Sequence, residues 1–306
     1  MEIKLFDNFI NKTLESNLNI LYAQMYQYGK LISEYSVMKP KVRLNTMSIS
    51  KNFVSCAFGI AEKEKLLKKE TKLIDIFPEY KDKKIDENIY DITMEDLLTM
   101  RSGQKDKMFF NESKERYIIT DWIDYFFNQE FTNSKEEWLY SNFNTYMISC
   151  AIERISGSNL LNYLRYRFFE KIGITNPDWT LCPKGHVHAA NGLYLNIDEL
   201  SMFGQMLIQN GFYNGNEIVP SEYMKLATSK IVDNSSHYDQ SRIYRAKGYG
   251  YQFHINPEIN SYHCAGKYGQ FVTVVEEKGI VISVMSFEEN YGEIGNNLYE
   301  ELVYKL

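Results

Sequence analysis

The segment SISK at 48–51 places a hydroxyl and an amine three residues apart, at the head of an apolar run. Residues at this spacing lie on one face of a helix, so the lysine amine can reach the serine hydroxyl. A serine is a weak nucleophile at neutral pH and needs a neighbouring base. A lysine can be that base when burial lowers its pKa, and Phe53 and Phe58 in the following run would bury it. The pattern therefore predicts a nucleophilic Ser48 with Lys51 as its proton partner.

The same spacing occurs at two other places, where the setting is different. The match at 36–39 runs directly into Pro40, which disfavours a helix at the lysine and removes the shared face. The match at 102–105 falls among loop residues at the glycine end of a helical pattern. Even at 48–51 an alternative exists, in which Ser48 caps a core helix and Lys51 points to water. The rest of the chain has to separate the two interpretations.

The elements that would position these residues follow a recognisable order. A helix at the start precedes two strands in LNILYAQMYQYGKLISEYS, and residues 62 to about 200 are mainly helical in pattern. Strand patterns return from about residue 246 in GYGYQFHIN, QFVTVVEE and GIVISVMSF, before a last helix. This order predicts an α+β fold, with an antiparallel sheet from the N- and C-terminal segments, flanking helices and an inserted all-helical subdomain. We assign 1–61 plus 200–306 to the α/β subdomain and 62–199 to the helical one.

Composition excludes several classes of function. The net charge is −6, and the densest charge run, EKEKLLKKETK, mixes both signs, so the chain lacks the basic surface that nucleic acids require. It contains no apolar run of the length that spans a membrane. The start lacks the pattern of a signal peptide, which predicts a cytoplasmic protein. A small-molecule or short-peptide substrate fits this profile better than a macromolecular partner.

The cysteines offer one alternative chemistry. All four are scattered without a C-x-x-C motif, and two of them lie in apolar helical patterns typical of buried free thiols. Cys182, His186 and His188 form a loose C-x3-H-x-H cluster, which could contribute to a zinc site. Its spacing is unusual and a fourth ligand is not evident, so a plain loop is favoured. No metal or cofactor is predicted.

A second motif, Tyr140-Ser141-Asn142, stands immediately before a helical pattern that ends at Gly157. Ser-x-x-Lys, then Tyr-x-Asn, then a strand motif with lysine or histidine that ends in glycine is the ordered set of serine β-lactamases and penicillin-binding proteins. The chain resembles the branch of that family that holds class C β-lactamases, D,D-peptidases and esterases. The resemblance runs from about residue 20 to 290 through DITMEDLLTMRSGQ, YSNFNTYMISCAIERISG and NGLYLNIDELSMFGQMLIQNGFYNG.

The resemblance implies a role for each matching residue. Ser48 would be the acylated nucleophile and Lys51 its proton partner. Tyr140 would act as general base or proton shuttle, and Asn142 would hydrogen-bond the amide side chain of the substrate. The backbone N–H groups of Ser48 and Lys267 would form the oxyanion hole. The alternative for Tyr140 and Asn142 is a helix-capping turn with a core tyrosine.

The third motif departs from the family pattern, which expects Lys-Thr-Gly or His-Thr-Gly. The sequence SYHCAGKYGQF makes Gly266 the motif glycine and puts Cys264 in the first position, so no cation stands there. His263 is one residue early, and a shift of one residue on a strand turns a side chain to the opposite face unless a bulge intervenes. We keep His263, Gly266 and Lys267 as candidate substrate-binding residues. The CAGKYGQF segment resembles esterase and amide-hydrolase members of the family.

These observations together predict a serine acyl hydrolase that works through an acyl-Ser48 intermediate. A cation in the third motif attracts the carboxylate of penicillins and D-Ala-D-Ala-type peptides, so its absence favours an ester, lactone or uncharged amide over a β-lactam. Two other functions stay open, namely a penicillin-recognising or sensor protein that acylates without turnover, and an acyltransferase. A metal hydrolase is the weakest alternative, since the chain has no H-E-x-x-H motif.

Overall fold

The computed structural model describes residues 1–105, 118–132, 137–237, 241–244 and 247–306. In these residues the strands are β1 (Ile20–Gln27), β2 (Lys30–Ser36), β3 (Leu44–Asn45), β4 (Asp178–Trp179), β5 (Leu193–Leu195), β6 (Phe212–Tyr213), β7 (Asn216–Glu217), β8 (Gly248–Tyr249), β9 (His254–Asn256), β10 (Ser261–Gly266), β11 (Gln270–Val275) and β12 (Ile280–Ser286). The α-helices are α1 (Glu2–Glu15), α2 (Ser50–Lys63), α3 (Leu73–Ile76), α4 (Met94–Leu98), α5 (Trp122–Phe127), α6 (Asn142–Ser156), α7 (Leu160–Leu164), α8 (Ile197–Ile208), α9 (Ser221–Ala227) and α10 (Tyr291–Glu301).

The main sheet is built from the two ends of the chain. Within the described residues it has seven strands in the order β2-β1-β12-β11-β10-β9-β8, and neighbouring strands pair antiparallel. The N-terminal hairpin joins the C-terminal strands through β1 and β12, where Met25 pairs with Ile282. The predicted α+β fold with an antiparallel sheet from both chain ends is therefore confirmed.

Helices cover both faces of this sheet, because alternate strand residues are apolar on each side. On one face α1 and α10 bury a cluster that includes Phe9, Ile282 and Leu298. On the other face α2 and α8 pack against the sheet, and the rings of Phe53 and Phe203 stack with centroids 4.0 Å apart.

Helix α8 approaches the sheet closely because Gly204 has no side chain. A Cβ atom at that position would lie 2.5 Å from Val281 Cγ1 and 3.0 Å from Val272 Cγ1. This close approach brings α8 onto β11 and β12 and closes the core beneath α2.

Several local predictions needed correction. The segment ITMEDLLTMRSG has a pattern that predicts a helix capped by Thr93 and ending at Gly103. In the structure Thr93 caps α4 in a reciprocal capping box with Asp96, but the helix ends at Leu98. The segment SNLLNYLRYRFFEKIGI at 158–174 has the pattern of one helix, but in the structure it divides into α7, a π-helical turn at Arg165–Phe169 and a 3-10 turn at Glu170–Ile172. Such breaks arise from side-chain packing, which helical periodicity does not encode.

The region predicted to be all-helical also contains strands. β4 and β5 lie in this region and pair antiparallel with each other, and β5 also pairs with β3, in the order β3-β5-β4. Strands of two or three residues are too short to leave a period in the sequence. The division into subdomains at 61/62 and 199/200 stays a prediction. Among the described residues, no helix has the length and apolar character needed to cross a membrane.

Candidate active site

Ser48 and Lys51 lie where the chain enters α2. Ser48 is in the middle of a single 3-10 turn, Met47–Ile49, and Lys51 is the second residue of the α-helix that follows. The helical spacing brings the two side chains together, and Lys51 Nζ lies 3.1 Å from Ser48 Oγ. A nucleophile and a base within this distance can exchange a proton directly.

Lys51 is almost completely enclosed, since only 1% of it is exposed. Its amine also donates a hydrogen bond of 2.8 Å to the carbonyl oxygen of Ala190, which fixes its position. Burial in this site penalises the charged form and lowers the pKa of Lys51 to about 7. At neutral pH a large share of the molecules therefore carries a free amine that can accept a proton. The alternative in which Lys51 points to water is wrong.

The backbone before the nucleophile is held in a costly conformation. Met47 has a φ of +52°, which side-chain-bearing residues adopt rarely. Asn45 supports this conformation, because its Oδ1 accepts hydrogen bonds from the N–H of Met47 at 2.9 Å and from that of Gly192 at 3.1 Å. Strain of this kind, held by its surroundings, is common where a side chain must be presented to a substrate.

Tyr140 and Asn142 lie at the start of α6, which begins at Asn142. Ser141 caps the helix by accepting a hydrogen bond of 3.2 Å from the N–H of Phe143. Tyr140 directly precedes this cap, and Lys51 Nζ lies 4.9 Å from the centre of its ring. Ser48, Lys51 and Tyr140 are therefore assembled in one site.

The neighbouring match at 102–105 has a structural role in this wall of the site. Ser102 is buried and donates a hydrogen bond of 2.6 Å to the side chain of Asn144 in α6. The sulfur of Met100 accepts from the N–H of Ser141 at 3.5 Å. The turn after α4 thus supports the start of α6.

The third motif occupies the end of β10 and the hairpin that follows. A Cβ atom on Gly266 would lie 2.5 Å from the carbonyl oxygen of Thr46 and 3.0 Å from Met47 Cβ. Only glycine allows this contact, and it places the peptide between Gly266 and Lys267 beside the turn that carries Ser48. Lys267 itself is partly exposed in the hairpin, with Nζ 4.8 Å from the centre of the Tyr268 ring.

Side chains alternate along β10 without a bulge in its pairing to β11. Cys264 faces α2 and is buried in the cluster that holds Phe53, and burial raises the pKa of its thiol. His263 faces the opposite side, where its Nδ1 lies 3.0 Å from the hydroxyl of Tyr299 in α10. The structure therefore does not bring His263 to the face of β10 that packs on α2.

Two groups near the site were not found by sequence reasoning. The carbonyl of Ala190 orients Lys51, and a backbone group leaves no trace in residue types. His254 on β9 is paired with His263, and their rings stack with centroids 5.0 Å apart. The His254 ring is also roughly parallel to that of Tyr140, with the ring centroids 6.3 Å apart. No pattern in GYGYQFHIN fixes which residue of the neighbouring strand pairs with His254, so this contact could not be placed from the sequence.

The cluster at 182–188 is not assembled as a metal site in the described residues, where no group of three or more potential ligands is found. Cys182 Sγ accepts a hydrogen bond of 3.4 Å from Tyr146, and His186 Nδ1 lies 2.9 Å from Glu153. His188 packs edge-on against Trp122 with ring centroids 5.3 Å apart. Each side chain thus has a separate neighbour.

Comparison with known families gives one match across most of the chain. The sequence profile of the family described as Beta-lactamase matches residues 21–299. A search of curated protein sequences finds no match.

Solved structures share the fold at low sequence identity. A putative 6-aminohexanoate-dimer hydrolase from Bacillus anthracis superposes with a TM-score of 0.78 and 18% identity, covering 96% of this chain and 81% of the other. An octameric penicillin-binding protein homologue from Pyrococcus abyssi gives 0.74 and 17%, covering 99% and 80%. A family VIII carboxylesterase gives 0.75 and 12%, covering 100% and 97%.

Proposed function

The chain belongs to the beta-lactamase family, and on this premise we propose that it is a serine hydrolase acting through an acyl-Ser48 intermediate. The observation that carries the proposal is the buried amine of Lys51, 3.1 Å from Ser48 Oγ, with its pKa lowered to about 7. Burial of a lysine amine is costly to the fold and has little structural purpose. Its position beside Ser48 is explained by a catalytic role as the base.

In the proposed reaction, the free amine of Lys51 takes the proton of Ser48 as Oγ attacks the acyl carbon of the substrate. The carbonyl oxygen becomes an oxyanion, which the N–H groups of Ser48 and Lys267 would stabilise from the turn and the hairpin. When the tetrahedral intermediate collapses, the bond to the leaving group breaks and the leaving group takes a proton. Tyr140, which lies near Lys51, would transfer this proton from the Lys51 amine to the leaving group.

Deacylation repeats these steps with water as the nucleophile. Tyr140 and Lys51 would take a proton from the water that attacks the acyl-serine, and Ser48 leaves with a proton returned to Oγ. Asn142, partly exposed at the start of α6, would hydrogen-bond the acyl part of the substrate.

The third motif favours an uncharged ester or amide as the substrate. In β-lactam-recognising relatives a lysine or histidine meets the substrate carboxylate, whereas Cys264 occupies the equivalent place here and is neutral and buried. Two of the structural neighbours, a carboxylesterase and a 6-aminohexanoate-dimer hydrolase, are named for ester and amide substrates. Gly266 and Lys267 would bind the carbonyl of such a substrate through the backbone.

The test is the mass of the intact protein after incubation with a fluorophosphonate and, separately, with a penicillin. Wild type should gain one adduct from the fluorophosphonate, and Ser48→Ala should gain none. Ser36→Ala, in the rival match, is the control and should be labelled like wild type. Labelling of Ser48→Ala at the wild-type rate would refute the assignment.

The same samples separate the remaining alternatives. Multiple turnovers of p-nitrophenyl esters by wild type would support a hydrolase, whereas one burst without turnover would identify an acylating sensor. Product partition toward an added amine or alcohol would identify an acyltransferase. Stable labelling by penicillin would reverse the substrate preference proposed from Cys264.

A further inference from the structure

Gln252 lies in the link between β8 and β9, where the predicted single strand is interrupted. Only 2% of the residue is exposed, and its φ is +67°, a value at which most residues other than glycine are strained. The surroundings must therefore hold it in place. The hydrogen bonds of Gln252 stabilise this conformation.

The polar groups of Gln252 are bonded to three helices. Its Nε2 donates to the carbonyl oxygens of Leu97 at 3.1 Å and Leu98 at 2.8 Å, at the end of α4. Its Oε1 accepts a bond of 2.7 Å from Thr145 in α6, and its carbonyl oxygen accepts one of 2.7 Å from Asn52 in α2. Its N–H donates to Leu98 O at 3.1 Å.

Each of these partners is adjacent to a group of the proposed site. Asn52 directly follows Lys51 in α2, and Thr145 lies one helical turn after Asn142 in α6. The end of α4 leads into the turn whose Met100 supports the N–H of Ser141. One buried side chain and its peptide thus connect the helix that carries the nucleophile to the helix that follows the tyrosine.

We infer that Gln252 is a positioning residue, which sets the distance between the Ser48–Lys51 pair on α2 and Tyr140 at the start of α6. This role rests on the proposed function. Hydrogen bonds inside a buried interface are directional, so losing them lets the two helices shift. A displacement of about 1 Å between reacting groups costs about 100-fold in rate.

The inference predicts a loss of activity per correctly folded site. Gln252→Met keeps the size of the side chain but removes its donors and acceptor, and Thr145→Val removes a single hydroxyl from the same contact. The control is Gln209→Met, because Gln209 is exposed at the end of α8 and, among the described residues, its side-chain amide donates only to Gln205 O, at 2.9 Å. The concentration of active sites is measured by fluorophosphonate titration, so that each rate constant is expressed per folded site.

We expect the rate constant of acylation to fall about 100-fold in Gln252→Met and about 5-fold in Thr145→Val, with no change in Gln209→Met. Looser packing should also let water reach Lys51, so the pH midpoint of acylation should rise above about 7, its value for the enclosed amine. If Gln252→Met does not fold, the inference is tested by the rate constant and the pH midpoint of acylation in Thr145→Val.

A purely structural role would give a different pattern. Lower melting temperatures with a wild-type rate per titrated site and an unchanged pH midpoint would overturn the inference. Ser48→Ala is assayed in parallel, so that failure of the positioning role can be distinguished from failure of the proposed function. If Ser48→Ala is inactive and the Gln252 and Thr145 variants behave like wild type, only the positioning role is wrong. If Ser48→Ala remains active, the proposed function and this inference are both wrong.

Discussion

Replacing Lys51 with methionine separates its chemistry from its packing. Methionine has a similar length and no charge, so it can fill the same space without a base. We expect Lys51→Met to lose acylation of Ser48 while the protein becomes more stable at neutral and acidic pH. Loss of activity with a gain of stability is typical of a functional residue that the fold tolerates at a cost.

The size of the gain follows from the pKa of Lys51. The difference between the ordinary value of 10.5 and about 7 corresponds to about 5 kcal/mol, at about 1.4 kcal/mol per pH unit. Methionine removes this cost but leaves the carbonyl of Ala190 without its donor, which costs about 1–3 kcal/mol. The free energy of unfolding should therefore rise by about 2–4 kcal/mol at pH 6.

This gain depends on pH with a definite sign. Below pH 7 the amine is protonated in the folded and the unfolded chain, so wild type carries the full burial cost. Between pH 7 and 10.5 the unfolded chain binds the proton and the folded chain has released it, so the stability of wild type rises with pH. The advantage of Lys51→Met should shrink by about 2–3 kcal/mol between pH 7 and pH 9.

Two assays check this prediction. Urea unfolding at pH 6, 7 and 9 compares the stabilities, and the second-order rate of fluorophosphonate labelling is followed from pH 5 to 9 in wild type. Because the free amine is the base, labelling should fall about tenfold per pH unit below a midpoint of about 7. A midpoint near 10, or a stability difference that is the same at pH 6 and pH 9, would refute the burial argument.

Two further substitutions test the rest of the site. Tyr140→Phe should lower kcat about 10²–10⁴-fold and change the free energy of unfolding by about 1 kcal/mol, since it removes a hydroxyl and keeps the ring; near-normal turnover in stopped-flow assays would return Tyr140 to a packing role. Gly266→Ala should destabilise the protein by about 1–3 kcal/mol in urea unfolding and slow acylation, because its methyl group would press on Thr46 O at 2.5 Å. Wild-type stability and labelling in that variant would mean that the turn before Ser48 can move without consequence.

Local spacing predicted that Ser48 and Lys51 could meet, and the motifs farther along the chain separated this match from the two others with the same spacing. Three residues along a helix fix two side chains on one face whatever the rest of the fold does, and apolar neighbours in sequence predict burial of that face. The order of helical and strand patterns was likewise enough for the fold class, since an antiparallel sheet flanked by helices is among the few architectures that satisfy it.

Contacts between distant segments could not be predicted in this way. The carbonyl of Ala190 that orients Lys51, the stack of His254 on His263 and the bonds of Gln252 each join residues brought together by the tertiary structure. The face on which His263 lies depended on the register of β10, where a single bulge would have reversed it. The sequence by itself determined which residues could react, because that depends on residue type and on spacing along one element. Only the tertiary structure decided the depth of the amine, its pKa and the distance to Tyr140, because these depend on how separate elements pack together.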